Sequence, residues 1–210
     1  MQDKIAAFKA HVQEVSANPE FIHHKWFVKW HLEIVERLAL ELLEFYPQAD
    51  RDIVEVMVWL HDYGKILDFD NQYAVTLSAG RQKLTELGFP AEFVNAAVAN
   101  IETLDKKMEL DLHEANIEIQ IVSSADGCSH LVGPFMHLFW NEATDPFFAG
   151  KTLAELMESN RQKADKDWSR KIILPEARKA FEQRYKFICE QSGELPPAFF
   201  PSILNKLEKL

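Results

Sequence analysis

Two adjacent side chains that can bind a metal ion, His61 and Asp62, follow a long apolar stretch of the sequence. Imidazole and carboxylate groups are common ligands of divalent metal ions in proteins. Neighbouring residues on a helix point about 100° apart, so both side chains can reach one ion only if it lies beyond the helix end or between helices. Any further ligands must therefore come from other parts of the chain.

Two residues could complete such a site. His31 lies on the apolar side of a predicted helix, and Asp126 lies in a later predicted helix of mostly apolar residues. A lone histidine there more often packs in the core, and a lone aspartate can cap a helix or pair with a base. An acid on an apolar helix nevertheless costs free energy without a partner, and a metal ion is one such partner. The four residues together favour a site for a divalent ion.

The arrangement of His31, the His61-Asp62 pair and Asp126 resembles the H…HD…D pattern of the HD-domain superfamily of metal-dependent phosphohydrolases. The most specific part is Leu-His-Asp-Tyr-Gly-Lys at 60–65, which is similar to the family's Leu-His-Asp-x-Gly-Lys form. The likeness covers roughly residues 20–140. It implies an all-helical fold with the ion at the centre of the bundle. It also implies hydrolysis of a small phosphoester, often a nucleotide.

The resemblance also implies roles for single residues. A bound ion would activate water beside Asp62, and Lys65 would offer a positive charge to the phosphate, so these two are the predicted catalytic residues. Arg81 and Lys83 are weaker candidates for binding the substrate. His130 shares a predicted helix stripe with the aspartate ligand, so it either contacts substrate or orients a ligand, or else packs in the core.

The sequence departs from parts of the superfamily. Residues 73–80 and 98–105 contain no histidine, whereas members that bind two or three metals carry further histidines after the His-Asp pair. We therefore expect one ion, which these ligands allow to be Mg, Mn, Fe, Co, Ni or Zn. Di-iron oxygenase chemistry is disfavoured for the same reason. A non-catalytic nucleotide-binding or regulatory HD-domain protein is the alternative.

Helical periodicity surrounds these residues, and no alternating strand pattern is present. The fold class is therefore predicted as all-α, a compact HD-domain-like bundle with additional C-terminal helices. We expect one domain over 1–210, with a core at about 20–140 and a helical extension over 141–210. The predicted helices cover 3–16, 25–45, 51–63, 73–87, 90–104, 114–140, 153–164, 175–191 and 202–210.

Glycine and proline positions predict several helix ends. Gly64 is expected to end the third helix in a left-handed conformation, and Gly88 to end the fourth. Gly133-Pro134 is expected to kink or split the helix that carries Asp126. Thr152 and Glu155 have the spacing of a capping box.

The formal charge of −10, from 33 acidic and 23 basic residues, opposes binding to a phosphate backbone. We expect a small phosphorylated molecule as partner, not a polymeric nucleic acid. The first residues do not resemble a signal peptide, and the longest apolar run, 131–140, is too short to span a membrane. A cytoplasmic protein without membrane contact is expected, and its oligomeric state stays open.

Other residues that could do chemistry have plainer interpretations. Trp26, Phe27 and Trp30 could stack on a nucleobase, but their helical spacing favours the core. The His23-His24 and Lys106-Lys107 pairs are predicted to be solvated.

Overall fold

The computed structural model describes residues 1–132 and 150–190, and every regular element in these ranges is helical. This confirms the predicted all-α fold class. The elements are α1 (Gln2–Ser16), a π-helical segment (Val28–Leu32) that continues into α2 (Glu33–Leu43), α3 (Arg51–Leu60), α4 (Tyr63–Leu67), α5 (Gln72–Glu86), α6 (Ala91–Asp105), a short 3-10 helix (Leu112–Glu114), α7 (Ile117–Ser129), α8 (Leu153–Arg170) and α9 (Pro175–Glu190). None of these helices is long and apolar enough to cross a membrane.

Two helices, α3 and α7, lie at the centre of the bundle. In α3, every residue from Ile53 to Leu60 is buried, because apolar side chains lie on all sides of this helix. The carboxylate of Asp50 caps its start by accepting hydrogen bonds from the amides of Asp52 and Ile53. Helix α3 packs on α1, α2, α6 and α7, and α2 packs along α7. The bundle centre is thus formed by the helices that carry the predicted ligands.

The helix predicted over 25–45 differs from an ideal α-helix at His31. Residues 28–32 form a π-helical turn before α2 begins at Glu33. Single π-turns inside helices are rare and occur frequently at functional sites. The residues predicted to point inward are largely buried, and His31 is 3% exposed.

The third predicted helix ends earlier than expected, and the expectation for Gly64 is wrong. Helix α3 stops at Leu60, and Gly64 lies inside α4 rather than in a left-handed position. Glycine is needed there for close approach, since a Cβ atom would lie 2.0 Å from the backbone oxygen of Gln72. The Gly64 amide also donates to the hydroxyl of Thr76 at 2.8 Å. The fourth predicted helix does end before Gly88, and Gly88 has a positive φ of 75°.

The helix that carries Asp126 is shorter than predicted at its C-terminal end. Helix α7 ends at Ser129 and His130 is its C-cap, whereas the prediction extended this helix to 140. The predicted break at Gly133-Pro134 and the predicted helix over 202–210 lie outside the described residues.

Two C-terminal helices pack on α7 next to Asp126. The capping box of Thr152 and Glu155 starts α8, which continues to Arg170 rather than to 164. The turn between α8 and α9 is attached to α7 because the Ser124 hydroxyl accepts from the amides of Ile173 and Leu174 at 3.2 and 3.1 Å. The division into a core and an extension stays a prediction, but this contact brings residues from α8 to the centre of the bundle.

Candidate metal centre

The fold brings the four predicted ligands together from three separate parts of the chain. The Nε2 atom of His31 lies 3.3 Å from Oδ2 of Asp62 and 3.9 Å from Oδ1 of Asp126. The Nε2 atom of His61 lies 3.6 and 4.0 Å from the same two oxygens. His31, His61 and Asp126 are buried, and the Asp62 side chain is 12% exposed. Two ring nitrogens and two carboxylate oxygens therefore surround one point.

The hydrogen bond of His61 leaves its other ring nitrogen as a free acceptor. The Nδ1–H group of His61 donates to the backbone oxygen of Val58 at 2.7 Å, so Nε2 carries the lone pair. This Nε2 atom is buried and has no hydrogen-bond partner among residues 1–132 and 150–190. Burial lowers the pKa of His61 by more than the nearby carboxylates of Asp62 and Asp126 raise it. The lowered pKa keeps the ring neutral. A buried lone pair without a partner is what a metal ligand requires.

A chain of two hydrogen bonds orients the other imidazole, that of His31. The Ser129 hydroxyl donates to the backbone oxygen of Asp126 at 2.7 Å. Its oxygen therefore accepts from Nδ1–H of His31, which lies 3.2 Å away. With Nδ1 as the donor, Nε2 is the ring nitrogen of His31 that lies next to both carboxylates.

Each carboxylate is accompanied by a lysine. The ammonium group of Lys65 lies 2.6 Å from Oδ2 of Asp62, and that of Lys171 lies 2.6 Å from Oδ2 of Asp126. Burial would raise the pKa of both acids, but these lysines and the neighbouring histidines hold both pKa values well below the usual range. The ligand atoms of His31, His61 and Asp62 all lie within 4.8 Å of one another, as do those of His31, Asp126 and His130. Ionised carboxylates together with imidazole nitrogens form a donor set that fits a divalent ion.

A cavity of about 490 Å³ is lined by three of these four residues, His31, Asp62 and Asp126. One part of its wall is aromatic, formed by Trp26, Phe27, Phe69 and Tyr73. Six lysines also line it, namely Lys65, Lys107, Lys151, Lys163, Lys166 and Lys171. Only two carboxylates, Asp62 and Asp126, are in the described lining. The cavity is therefore strongly basic although the chain has a formal charge of −10.

Residues 30–131 match the sequence model of a family described as HD domain. Residues 30–131 therefore form an HD domain. The matched residues include all four proposed ligands of this HD domain and do not include the C-terminal helices α8 and α9. No match to a curated protein or to a solved structure was found.

His130 lies at the wall of the cavity next to the proposed ligands. Its Nδ1–H group donates to Oδ2 of Asp167 on α8 at 2.8 Å, and its Nε2 atom is 3.7 Å from Oδ1 of Asp126. Its ring is stacked on that of His31, with 8° between the planes. Burial, with Lys163 nearby, lowers the pKa of His130 to about 3. The ring is therefore neutral, with its lone pair directed toward the site.

The structure does not bring Arg81 to this cavity. Arg81 lies on the exposed side of α5, where its guanidinium group donates to the side-chain oxygen of Asn95 on α6. The periodicity of α5 explains this, because the side of the helix that includes Thr76 and Gly80 is the buried one.

Several cavity residues were not recognised from the sequence. His23 and Lys107 were predicted to be solvated, but both line the cavity. Burial lowers the pKa of His23 to about 4 and also lowers that of Lys107. Trp26 and Phe27 are buried as predicted and also form part of the cavity wall.

The contribution of α8 was missed because no motif marks it. Lys163, Asp167 and Lys171 lie four residues apart, so they occupy one side of the helix. Asp167 is fully buried and lies 2.9 Å from Lys163 and 3.4 Å from Lys171. The spacing of this acid between two bases was a signal that α8 carries a buried charged stripe.

Proposed function

We propose that this HD-domain protein is a metal-dependent phosphohydrolase that acts on a small phosphoester. One divalent ion would be held by His31, His61, Asp62 and Asp126. The observation that carries this proposal is the convergence of two imidazole nitrogens and two ionised carboxylates at a cavity lined by lysines.

The surroundings of the two carboxylates favour one ion over two. Oδ2 of Asp126 bonds to Lys171 and Oδ2 of Asp62 bonds to Lys65, so two ammonium groups lie directly beside the proposed ligands. A second divalent cation there would be repelled by these charges. Imidazole ligands suit first-row transition ions such as Mn, Fe, Co, Ni or Zn, while carboxylates also accept Mg.

The bound ion would supply Lewis-acid chemistry and lower the pKa of water at the site. Lys65 would bind a non-bridging phosphoryl oxygen and stabilise the negative charge that develops there. Asp62 would accept a hydrogen bond from the attacking water and so orient it. Lys107 would add a second positive charge, since its ammonium group interacts electrostatically with Asp62 and Asp126.

The aromatic part of the cavity wall favours a substrate with a flat ring. Trp26, Phe69 and Tyr73 contribute aromatic surface to the cavity, and Tyr73 is 58% exposed. Rings of this kind bind nucleobases by stacking. A nucleotide has the required combination of an aromatic group and a phosphate, whereas a polymeric nucleic acid would meet a surface of net negative charge.

Binding without turnover is the second candidate. The lysine-rich cavity could bind an anionic ligand in the absence of a metal ion, because each carboxylate already has a lysine partner. In that case the protein would be a nucleotide-binding or regulatory member of its superfamily.

A phosphoester panel with metal add-back distinguishes the two candidates. Metal-free protein would be incubated separately with Mg, Mn, Fe, Co, Ni and Zn and assayed against nucleotides and simple phosphate monoesters. Hydrolysis that requires an added ion and is lost in His61→Ala would support the hydrolase. Nucleotide-dependent thermal stabilisation without product formation under any metal would favour the binding protein instead.

A further inference from the structure

The positive charge of the cavity exceeds what one phosphate group needs. Six ammonium groups line it, whereas the acids beside them are Asp62, Asp126, the buried Asp167 and Asp105 near Lys107. The ion required by the proposed function would add two more positive charges. A single phosphoryl dianion would leave most of this charge unbalanced, and unbalanced charge in a partly enclosed cavity is unfavourable.

The excess comes mainly from the C-terminal helices. Lys163 and Lys166 belong to α8, Lys171 follows them as its C-cap, and all three lie outside the matched HD domain. Lys171 bonds to Asp126 at 2.6 Å, so it lies at the proposed metal centre. Lys166 precedes it by five residues, which corresponds to about 8 Å along a helix axis. The lysines of α8 therefore extend from the metal centre along the cavity wall.

The cavity lysines differ in whether protein groups already balance them. Lys65 and Lys171 bond to the proposed ligands, Lys163 lies 2.9 Å from Asp167, and Lys151 also has an interaction partner. The ammonium groups of Lys107 and Lys166 form no hydrogen bond or ion pair with any residue in the part of the chain that the structure describes. Lys107 lies close enough to Asp62 and Asp126 to serve the reacting phosphate. This leaves Lys166 as a cation that the proposed reaction at the metal centre does not use.

We infer that Lys166, with Lys163 beside it, forms a second anion subsite that binds a further phosphate group of the substrate. This inference rests on the proposed function, because it takes the metal centre as the place where the reacting phosphoryl group binds. The substrate class is then a compound with two or more phosphate groups, and α8 determines the preference for it over a monophosphate. Lys163, which is paired with Asp167, adds positive charge to the subsite, and Lys166 contacts the phosphate group of the substrate.

Binding of inorganic phosphates to the metal-loaded protein tests this subsite without requiring catalysis. Calorimetry would compare orthophosphate with triphosphate in the wild type, in Lys166→Ala and in Lys179→Ala. Lys179 is an exposed lysine of α9 outside the cavity, so it is a matched control. We expect triphosphate to bind at least about tenfold more tightly than orthophosphate in the wild type.

Lys166→Ala should weaken triphosphate binding about fivefold to tenfold and leave orthophosphate binding within about twofold. Lys166→Glu should weaken triphosphate binding further, and Lys179→Ala should change neither affinity. Equal affinity of the wild type for the two phosphates would overturn the inference. So would an equal loss in Lys166→Ala and Lys179→Ala.

A parallel activity assay separates this inference from the proposed function. If no phosphoester is hydrolysed but Lys166→Ala still selectively weakens triphosphate binding, the subsite stands and the hydrolase proposal fails. If the wild type hydrolyses monophosphates and oligophosphates equally well, and Lys166→Ala leaves their ratio of kcat/KM unchanged, the hydrolase stands and the subsite is refuted.

Discussion

Two clusters of charged side chains are partly or fully buried in this molecule, and they differ in their balance. In the first, which we call the α1 cluster, Lys9 and Arg51 are matched by Glu36 and Glu55. Lys9 and Arg51 lie 2.8 and 2.9 Å from Glu55, Lys9 also pairs with Glu36, and the Trp59 indole donates to Glu36 at 3.0 Å. The described lining of the cavity, in contrast, has six lysines and only two carboxylates. Matched charges connect helices, whereas unmatched charges of one sign require a ligand.

The acids of the two regions show the same contrast. Burial would raise the pKa of Glu55, but hydrogen bonds from Lys9 and Arg51 lower it below the usual value. At the edge of the metal centre, burial raises the pKa of Asp105 to about 7. One oxygen of Asp105 is buried and has no hydrogen-bond partner within the described residues. Every acid of the α1 cluster thus has a protein partner, while the cavity region leaves both acid and lysine groups without one.

The largest expected effect is on catalysis and comes from Lys65, in the unbalanced region. Lys65→Ala should lower kcat/KM for a phosphoester about 100-fold, because it removes a charge that stabilises the phosphoryl group in the transition state. Metal content should be unchanged or higher, since Asp62 loses a competing cation. The measurement is steady-state kinetics together with elemental analysis. Lys83→Ala, on α5 and paired with Glu86 at 2.7 Å, is the control and should retain activity.

Glu55→Gln should have the opposite pattern, with loss of stability and little change in activity. At pH 7, the free energy of unfolding should fall by about 1–2 kcal/mol, because Lys9 and Arg51 lose a charged partner. Urea unfolding measures this change, and Glu102→Gln at an exposed pair is the control, expected within about 0.5 kcal/mol of the wild type. A Glu55→Gln variant that keeps full stability but loses most of its activity would contradict the assignment of stability to the α1 cluster and of activity to the cavity.

The same variant gives a pH dependence of known sign. The pKa of Glu55 is lower in the folded protein than the ordinary value of 4.5. Its contribution to stability is therefore fully present above about pH 4.5 and is lost as the pH falls through the folded pKa. The difference in unfolding free energy between wild type and Glu55→Gln should shrink below this pH. A difference that grows on acidification would show that the carboxylate is not stabilised by its partners.

The smallest effect is expected for Arg81, which the sequence suggested as a substrate-binding residue. Because Arg81 is exposed and contacts Asn95 outside the cavity, Arg81→Ala should change kcat/KM by less than about twofold and stability by less than about 0.5 kcal/mol. Kinetics on the same phosphoester would check this. A tenfold rise in KM would mean that the substrate extends beyond the cavity described.

The sequence could predict what depends on local pattern. The apolar periodicity located the helices, the helix end before Gly88 and the capping box at Thr152 were recognised, and the HD pattern identified four residues that the fold brings together. Gly64 was misinterpreted because its role depends on the backbone of another helix, 2.0 Å from where its Cβ would be. No local rule reports such a close approach.

Residues whose role depends on tertiary packing were missed for a related reason. Lys107 lies in a segment without periodicity, and only the fold brings it to the cavity. The lysines of α8 are distant in sequence from the ligands, although the four-residue spacing of Lys163, Asp167 and Lys171 could have indicated a shared stripe. Charge in the folded molecule thus differs from charge in the sequence: an acidic chain contains a basic cavity.

The stoichiometry of bound metal tests the central claim most directly. Wild type, Asp126→Asn and the exposed control Asp70→Asn would be loaded with each candidate ion, desalted and measured by elemental analysis, with circular dichroism to verify folding. We predict about one ion per chain for the wild type and Asp70→Asn, and little or none for folded Asp126→Asn. Equal metal content in wild type and Asp126→Asn, or a wild type that retains none of the ions, would contradict the account.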